Sequence, residues 1–210
     1  AVLQFVADTK PLNPIFVDCT ASNDLPSRYL DIFNAGMSIV TPNKRANSMS
    51  MDFYRSIRKT ANKMHKLFFY ETNVGAGLPV IDTLQNMFMS GDHLVEFTGI
   101  MSGSLSYLFG LLDEGELFSK AVLKARDKGY TEPDPRDDLS GMDVARKVLI
   151  IARESGMKIE LDDVKMNKIF PDDFDASGST EEFLKNIPKL DEYFAKKVEE
   201  LAKQGKVLRM

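Results

Sequence analysis

Apolar and polar positions in the first seventy residues alternate between two periods. IFVDC (15–19) is a short, β-branched apolar run fit for a buried strand, and SIVT (38–41) and KLFFY (66–70) repeat it. Helical spacing fills the gaps. One helix is capped by Asn23 or Asp24 and runs to about Ala35, where Gly36 stops it. A second runs from about Ser48 to Met64, after a turn at Pro42-Asn43-Lys44. The result is β-α-β-α-β, which favours right-handed crossovers into a doubly wound parallel sheet with ligands beyond the carboxyl ends of its strands. Thr20 and Lys44 both follow such ends.

Past Tyr70 the pattern changes. ETNVGAGLP (71–79) is a Gly-rich turn leading into a helix with Pro79 near its first position and Gly91 just past its end. HLVEFTGIM (93–101) reads as a strand, and helices are expected at about 104–113, 116–128 and 140–155. The last of these opens on Ser140-x-x-Asp143, a capping box with Asp for Glu, carries a buried stripe of Val144, Val148, Ile151 and Ala152, and is closed by Gly156. Residues 160–170 suggest a strand and 171–179 a polar loop. Two amphipathic helical stretches come next, at about 180–187 and 189–204, and VLRM (207–210) looks like the opening of a further strand. The fold class is α/β: the C-terminal half of a doubly wound, Rossmann-like parallel sheet, then an α+β part.

Composition narrows the function. With 210 residues and 43% hydrophobic positions there is material for one large domain or two small ones. A net charge of -4 gives no electrostatic reason to expect nucleic acid or an anionic membrane as partner. Apolar runs fall short of the ~20 residues that cross a bilayer, and no basic segment leads into an apolar core at the N-terminus, so a soluble, cytoplasmic protein is expected. Cys19 is the only cysteine, which excludes an internal disulfide, and with two histidines, His65 and His93, a thiolate or imidazole zinc site is disfavoured. SGSLS (102–106) does not match the Gly-x-Ser-x-Gly elbow of serine hydrolases.

Three stretches carry chemistry. GYTEPDPRDDLSGMDVARK (129–147) gathers Glu132, Asp134, Asp137, Asp138 and Asp143 beside Pro133 and Pro135, which stiffen the loop and aim its carboxylates. Asp143 and Lys147 stand four residues apart on one helix face. They form either an ordinary i,i+4 ion pair worth about 0.3–0.5 kcal/mol or a proton donor held near carboxylates that bind an ammonium. TNVGAGLP (72–79) is either a tight strand-to-helix connection or a turn whose carbonyls, with the charge of Glu71, coordinate a cation. In TPNK (41–44), Lys44 is an exposed turn lysine or a contact for a nucleotide or carboxylate. No GxGxxG occurs in the chain.

Read in full, the acidic stretch resembles a family signature. Ala125-x3-Gly129-Tyr130-Thr131-x2-Asp134-Pro135-x2-Asp138-Leu139-x-Gly141-x-Asp143-x3-Lys147 resembles that of the homoserine dehydrogenases at every specified position. VDCTAS (17–22), TPNK (41–44), ETNVGAGLPV (71–80) and GIMSGSLSY (99–107) resemble family segments in the family's order. The likeness spans nearly the whole chain and points in particular to the dehydrogenase part of bacterial bifunctional aspartokinase–homoserine dehydrogenases.

The resemblance implies an NAD- or NADP-dependent interconversion of L-homoserine and L-aspartate 4-semialdehyde, towards threonine and methionine. It makes Lys147 the general acid/base, has Glu132 and Asp143 bind substrate, and lines the site with Asp138. Thr20, Lys44 and Gly129 would contact the nicotinamide cofactor. Glu71 with the carbonyls of Val74, Ala76 and Leu78 would hold a monovalent cation, Na+ or K+. Residues 1–70 are then a partial dinucleotide-binding domain, and 71–210 a substrate-binding, catalytic and dimerisation domain of a homo-oligomer. Family members also have an initial Gly-rich strand-turn-helix and a C-terminal return to the cofactor domain. Neither is among these residues, so a piece of a longer protein is expected, with an inactive dimerisation module as the alternative for the piece itself. A cation-dependent amino-acid-binding protein is a third reading, resting on the acidic loop and Gly turn alone.

Overall fold

The computed structural model describes residues 1–167 and 169–209. In chain order the elements are α1 (Val2–Thr9), β1 (Ile15–Val17), α2 (Tyr29–Asn34), β2 (Ser38–Val40), α3 (Arg45–Ser48), α4 (Met51–Lys63), β3 (Phe68–Phe69) and α5 (Val80–Met89). Then come α6 (Gly103–Asp113), α7 (Phe118–Asp127), α8 (Pro135–Leu139), α9 (Met142–Glu154), α10 (Thr180–Asn186) and α11 (Asp191–Lys203). Two compact units result. The first comprises Ala1–Phe97 and Ala145–Lys165, the second Thr98–Val144 and the chain from Met166 onward.

In the first unit the three expected strands form a parallel sheet in the order β1-β2-β3, with Phe16 opposite Ile39 and Ile39 opposite Phe68. That face is covered by α2 and α4: Tyr29, Ile32, Phe33, Ile57 and Ala61 bury against Ile39, with Phe16 and Phe68 packed alongside. Alternation sends the next residues the other way. Ile15, Val17, Val40 and Phe69 are exposed, so one face of the sheet is uncovered in this chain, whereas a parallel sheet normally buries both.

Boundaries differ where side-chain caps decide them. The segment leading to α2 begins as a 3-10 turn over Leu25–Arg28. Asp24 stands at its N-cap, but its side chain makes no capping bond, and the hydroxyl of Ser22 accepts from the amides of Asp24 and Leu25 instead. Ser50 caps α4 by accepting from Phe53 N. The helix expected over 140–155 is α9, and a short helix not expected, α8, precedes it across Gly141 with φ +72°. Ser140 stands at the end of α8, and its hydroxyl accepts from Met142 N at the start of α9. The buried side of α9 is also turned: Ala145, Leu149, Ile150 and Ile151 are buried, while Val148 is exposed. Its last turn carries the buried Arg153, which donates to the carbonyls of Asn47 and Met49, and this fixes which side faces inward.

Residues 93–101 form no strand. A strand needs a neighbour for its amides and carbonyls, and among the described residues the sheet consists of β1, β2 and β3. Of the strand expected at 160–170, Leu161–Asp163 is a 3-10 turn closed by a reciprocal Glu160/Asp163 capping box, and residue 168 lies outside the described residues. Val207–Arg209 are irregular, and residue 210 of the expected VLRM strand is outside the described residues. Among the described residues the regular elements of the second unit are helices. They share a core in which Phe118 stacks on Phe194 at 4.0 Å, with Leu105, Leu108, Phe183 and Ile187 buried around them. No helix among the described residues is long and apolar enough to cross a membrane.

Candidate active site

At the carboxyl ends of β1 and β2, Asp18 is 1% exposed and ties the two adjoining loops together. Its Oδ1 accepts from Thr20 N at 2.8 Å and from Thr20 Oγ1 at 2.7 Å. Its Oδ2 accepts from Tyr29 Oη at 2.5 Å and from Asn43 Nδ2 at 3.3 Å. Thr41 donates to Asp18 O and accepts from Asn43 N, and Asn43 Oδ1 accepts from Arg45 N. Burial pushes the Asp18 carboxyl up, but the hydrogen bonds from Tyr29, Thr20 and Asn43 outweigh it and hold the group below its ordinary value. Burial and the Asp18 contact push the Tyr29 phenol up, so it remains a donor. Thr20 is exposed and Lys44 half-buried beside this network, each on a loop that Asp18 holds. A hydroxyl and an ammonium at the carboxyl ends of parallel strands suit a polar, anionic dinucleotide.

The Gly-rich turn leaves β3 through Glu71. Its Oε1 and Oε2 accept from the first amides of α5, Ile81 N and Asp82 N, both at 2.8 Å, so the carboxylate caps that helix. Gly75 (φ +82°) and Ala76 (φ +51°) turn the chain back, and Leu78 N donates to Gly75 O at 2.9 Å. Val74 is buried and Leu78 exposed. Among the described residues no three His, Cys, Asp or Glu side chains cluster as a metal site, and the oxygens that this turn offers are its carbonyls and the spare lone pairs of Glu71.

In the second unit the acidic stretch is a built loop. Gly129, at φ +69°, ends α7: its amide donates to Arg126 O, and Tyr130 N reaches back to Ala125 O, both at 2.9 Å. The Tyr130 ring meets Tyr107 edge-on at 4.9 Å. Asp138 accepts from Ser104 Oγ at 2.7 Å and from Glu132 N at 2.8 Å, so it fixes the backbone that carries Glu132. Ser104 is itself 3.0 Å from the hydroxyl of Ser102, which caps α6 through Leu105 N. Asp134 forms a fork with Arg136, whose Nη1 donates to the carbonyls of Ala176 and Gly178, while Thr180 donates to Asp134. Asp143 and Lys147 lie one turn apart on α9, both half-buried. The division of the chain assigns Lys147 to the first unit and Glu132, Asp138 and Asp143 to the second.

Several residues that build these sites lie outside the roles that pattern assigns. Asp18 ends an apolar run, and a carboxylate there is a signal that it must be paired. Ser104 belongs to SGSLS, within the family-like segment GIMSGSLSY, but neither that likeness nor the nucleophile-elbow test gives the residue a role of its own. Arg58 and Glu154, at 2.6 Å, are not singled out by pattern, yet they form the centre of a largely buried cluster in the first unit.

Comparison with known proteins brings these observations together. Residues 79–210 match the model of the family described as homoserine dehydrogenase, and residues 2–71 match the homoserine dehydrogenase NAD binding domain. A bifunctional aspartokinase/homoserine dehydrogenase of Haemophilus influenzae is 48% identical over 208 residues, covering 99% of this chain and 26% of the relative. A homoserine dehydrogenase of Schizosaccharomyces pombe is 41% identical over 215 residues, covering 100% of this chain and 57% of the relative. A crystal structure of a protein of unknown function from Candida auris superposes with a TM-score of 0.89 at 36% identity, covering 99% of this chain and 60% of that one. A hyperthermophilic archaeal homoserine dehydrogenase in complex with NADPH gives a TM-score of 0.61 at 25% identity, covering 74% and 47%. The chain thus spans about a quarter of the bifunctional relative and somewhat over half of the yeast one.

Proposed function

We propose, from the premise that the chain belongs to the homoserine dehydrogenase family, that its parent protein interconverts L-homoserine and L-aspartate 4-semialdehyde with NAD or NADP. Residues 1–70 are the part of the dinucleotide-binding domain present here, and 71–210 the substrate-binding, catalytic and dimerisation part. The archaeal relative solved with NADPH supports a nicotinamide cofactor, and NADP(H) among the two. The exposed Val95, Phe97 and Ile100 support a subunit contact within 71–210. The protein acts in the cytoplasm as a homodimer.

When bound, the nicotinamide supplies the hydride that reduces the aldehyde or accepts it from homoserine. Lys147 donates a proton to the aldehyde oxygen as negative charge develops there, and in the oxidative direction the same nitrogen receives it. Glu132 and Asp143 hold the substrate ammonium. Asp138 lines the site and, through Glu132 N, keeps Glu132 in place. Thr20, Lys44 and Gly129 contact the cofactor. Glu71 and the carbonyls of Val74, Ala76 and Leu78 hold a monovalent cation, Na+ or K+, that stiffens the entry to α5.

The observation that carries this reading is the acidic stretch itself. Its Gly129 turn and its Asp138 bonds to Ser104 and Glu132 N form a fixed loop that presents carboxylates, which is what an ammonium-bearing substrate requires. The full-length protein is assayed for homoserine-dependent reduction of NADP+ and NAD+. Lys147→Ala should lower kcat by about 100-fold or more. No activity in the intact protein, or an unchanged rate in the variant, would sink the proposal.

A further inference from the structure

The hydrogen-bond pattern around Asp18 has an asymmetry. Both donors of Thr20, its amide and its hydroxyl, go to Oδ1. Thr20 Oγ1 in turn accepts from Ser22 N at 3.2 Å. With its one proton given to Asp18 and one lone pair given to Ser22, the hydroxyl has a single acceptor position left and nothing to donate. Oδ2 serves the other loop, through Asn43 Nδ2, and Asn43 also donates to Ser22 O at 3.0 Å. One buried carboxylate therefore fixes the loop after β1 through one oxygen and the loop after β2 through the other.

We infer that Asp18 is the positioning residue for the cofactor end of the sheet: it presents the Thr20 hydroxyl as an acceptor for an N–H or O–H of the bound nicotinamide dinucleotide, and through Asn43 it sets the position of Lys44. This rests on the reading that Thr20 and Lys44 contact the cofactor. The division of labour between the two oxygens makes it specific. In Asp18→Asn, the remaining oxygen turns to Thr20, because Thr20 N–H rejects another donor at 2.8 Å. The new amide nitrogen then faces Tyr29, which accepts from it by turning its own proton to Thr41 Oγ1 at 3.1 Å, and Asn43 Nδ2, which cannot. Thr20 stays held while the loop of Lys44 loses its tie to Asp18 and keeps those from Asn43 to Ser22 O and Thr41 Oγ1.

The test uses the full-length protein and NADPH binding by fluorescence titration, with no turnover required. Asp18→Asn, Lys44→Ala and Thr20→Val are each expected to weaken NADPH by about tenfold, and Thr20→Ser to retain wild-type affinity. The double variants discriminate. Lys44→Ala added to Asp18→Asn should cost less than twofold more, because the tie that aims Lys44 is already lost, whereas Thr20→Val should still cost its full tenfold. Asn43→Ser breaks the same link without touching Asp18, and it must reproduce the loss of the Lys44 effect even if Asp18→Asn fails to fold. Wild-type affinity in both Asp18→Asn and Asn43→Ser, or full additivity of either with Lys44→Ala, would overturn the inference. Wild-type affinity in both Lys44→Ala and Thr20→Val would instead remove the cofactor assignment on which it rests.

Discussion

Arg58 Nη2 lies 2.6 Å from Glu154 Oε1, and the carboxylate side chain is only 5% exposed. The same oxygen accepts from Tyr54 Oη and Tyr70 Oη, both at 2.9 Å, and Oε2 accepts from Gln85 Nε2. The Arg58 guanidinium also sits 3.4 Å over the Tyr54 ring, so it is partly enclosed as well as paired, with its side chain 26% exposed. The cluster joins α4, the end of β3, α5 and the last turn of α9 inside the first unit. Burial of their rings pushes the Tyr54 and Tyr70 phenols up, which keeps both as donors.

Removing one partner from a buried ion pair costs more than the pair contributes, since the other charge is left desolvated. Arg58→Met should therefore destabilise the protein by about 3–5 kcal/mol in urea unfolding. Adding Glu154→Gln to Arg58→Met should recover part of that loss, because the neutral amide no longer needs the guanidinium. A strictly additive double variant would show that the two side chains do not depend on each other.

Asp134 makes a second, pH-dependent tie. The Arg136 fork holds its carboxyl at about 2 against the opposing effect of burial, with Thr180 and the Arg136 amide adding to the same side. A carboxyl whose folded value is depressed stabilises the fold above its unfolded pKa of about 3.9, and that stability is lost as pH falls towards 2. The group is 26% exposed, so about 1–2 kcal/mol is expected after allowing for solvent screening. Wild type should exceed Asp134→Asn by that amount at pH 5, and the gap should close near pH 2. A gap independent of pH would show that the carboxylate charge is not what ties the loop.

Much of the first unit is legible in the sequence because its strands are short apolar runs and α2 is closed by Gly36. Pattern does not supply the long-range partners. Asp18 and Asn43 are separated by 25 positions, and Arg58 and Glu154 by 96, so neither pair leaves a local spacing to read. The acidic stretch is recognisable as a motif, yet the reason Asp138 stands where it does emerges only with Ser104, 34 residues earlier. The strand expected at 93–101 fails for the converse reason: alternation says which face is apolar, not whether a neighbouring strand exists to pair with it.

Asp138 leads to a prediction about loop order. Asp138→Asn can keep one oxygen on Glu132 N–H and turn its amide towards Ser104, whose hydroxyl accepts as readily as it donates. Asp138→Ala leaves both donors unserved, for a loss of about 1–3 kcal/mol. Amide hydrogen exchange at Glu132 should be nearly unchanged in the first variant and at least tenfold faster in the second. Equal acceleration in both would mean that the negative charge, rather than the acceptor, holds the loop.

The Gly-rich turn offers a contrast within one segment. Gly75 has φ +82°, and a Cβ placed there would lie 2.7 Å from Val80 Cγ2 at the first residue of α5. Backbone conformation and contact both oppose a side chain, so Gly75→Ala should cost more than about 1 kcal/mol. The strain bears on the start of α5, where Glu71 holds the amides of Ile81 and Asp82. Exchange at those two amides should quicken in Gly75→Ala. At Gly77, two residues on, a methyl group would meet no atom within 4 Å, and Gly77→Ala should leave both stability and exchange close to wild type. If the two variants behave alike, the turn is not held in the left-handed geometry that aims Glu71 at the helix.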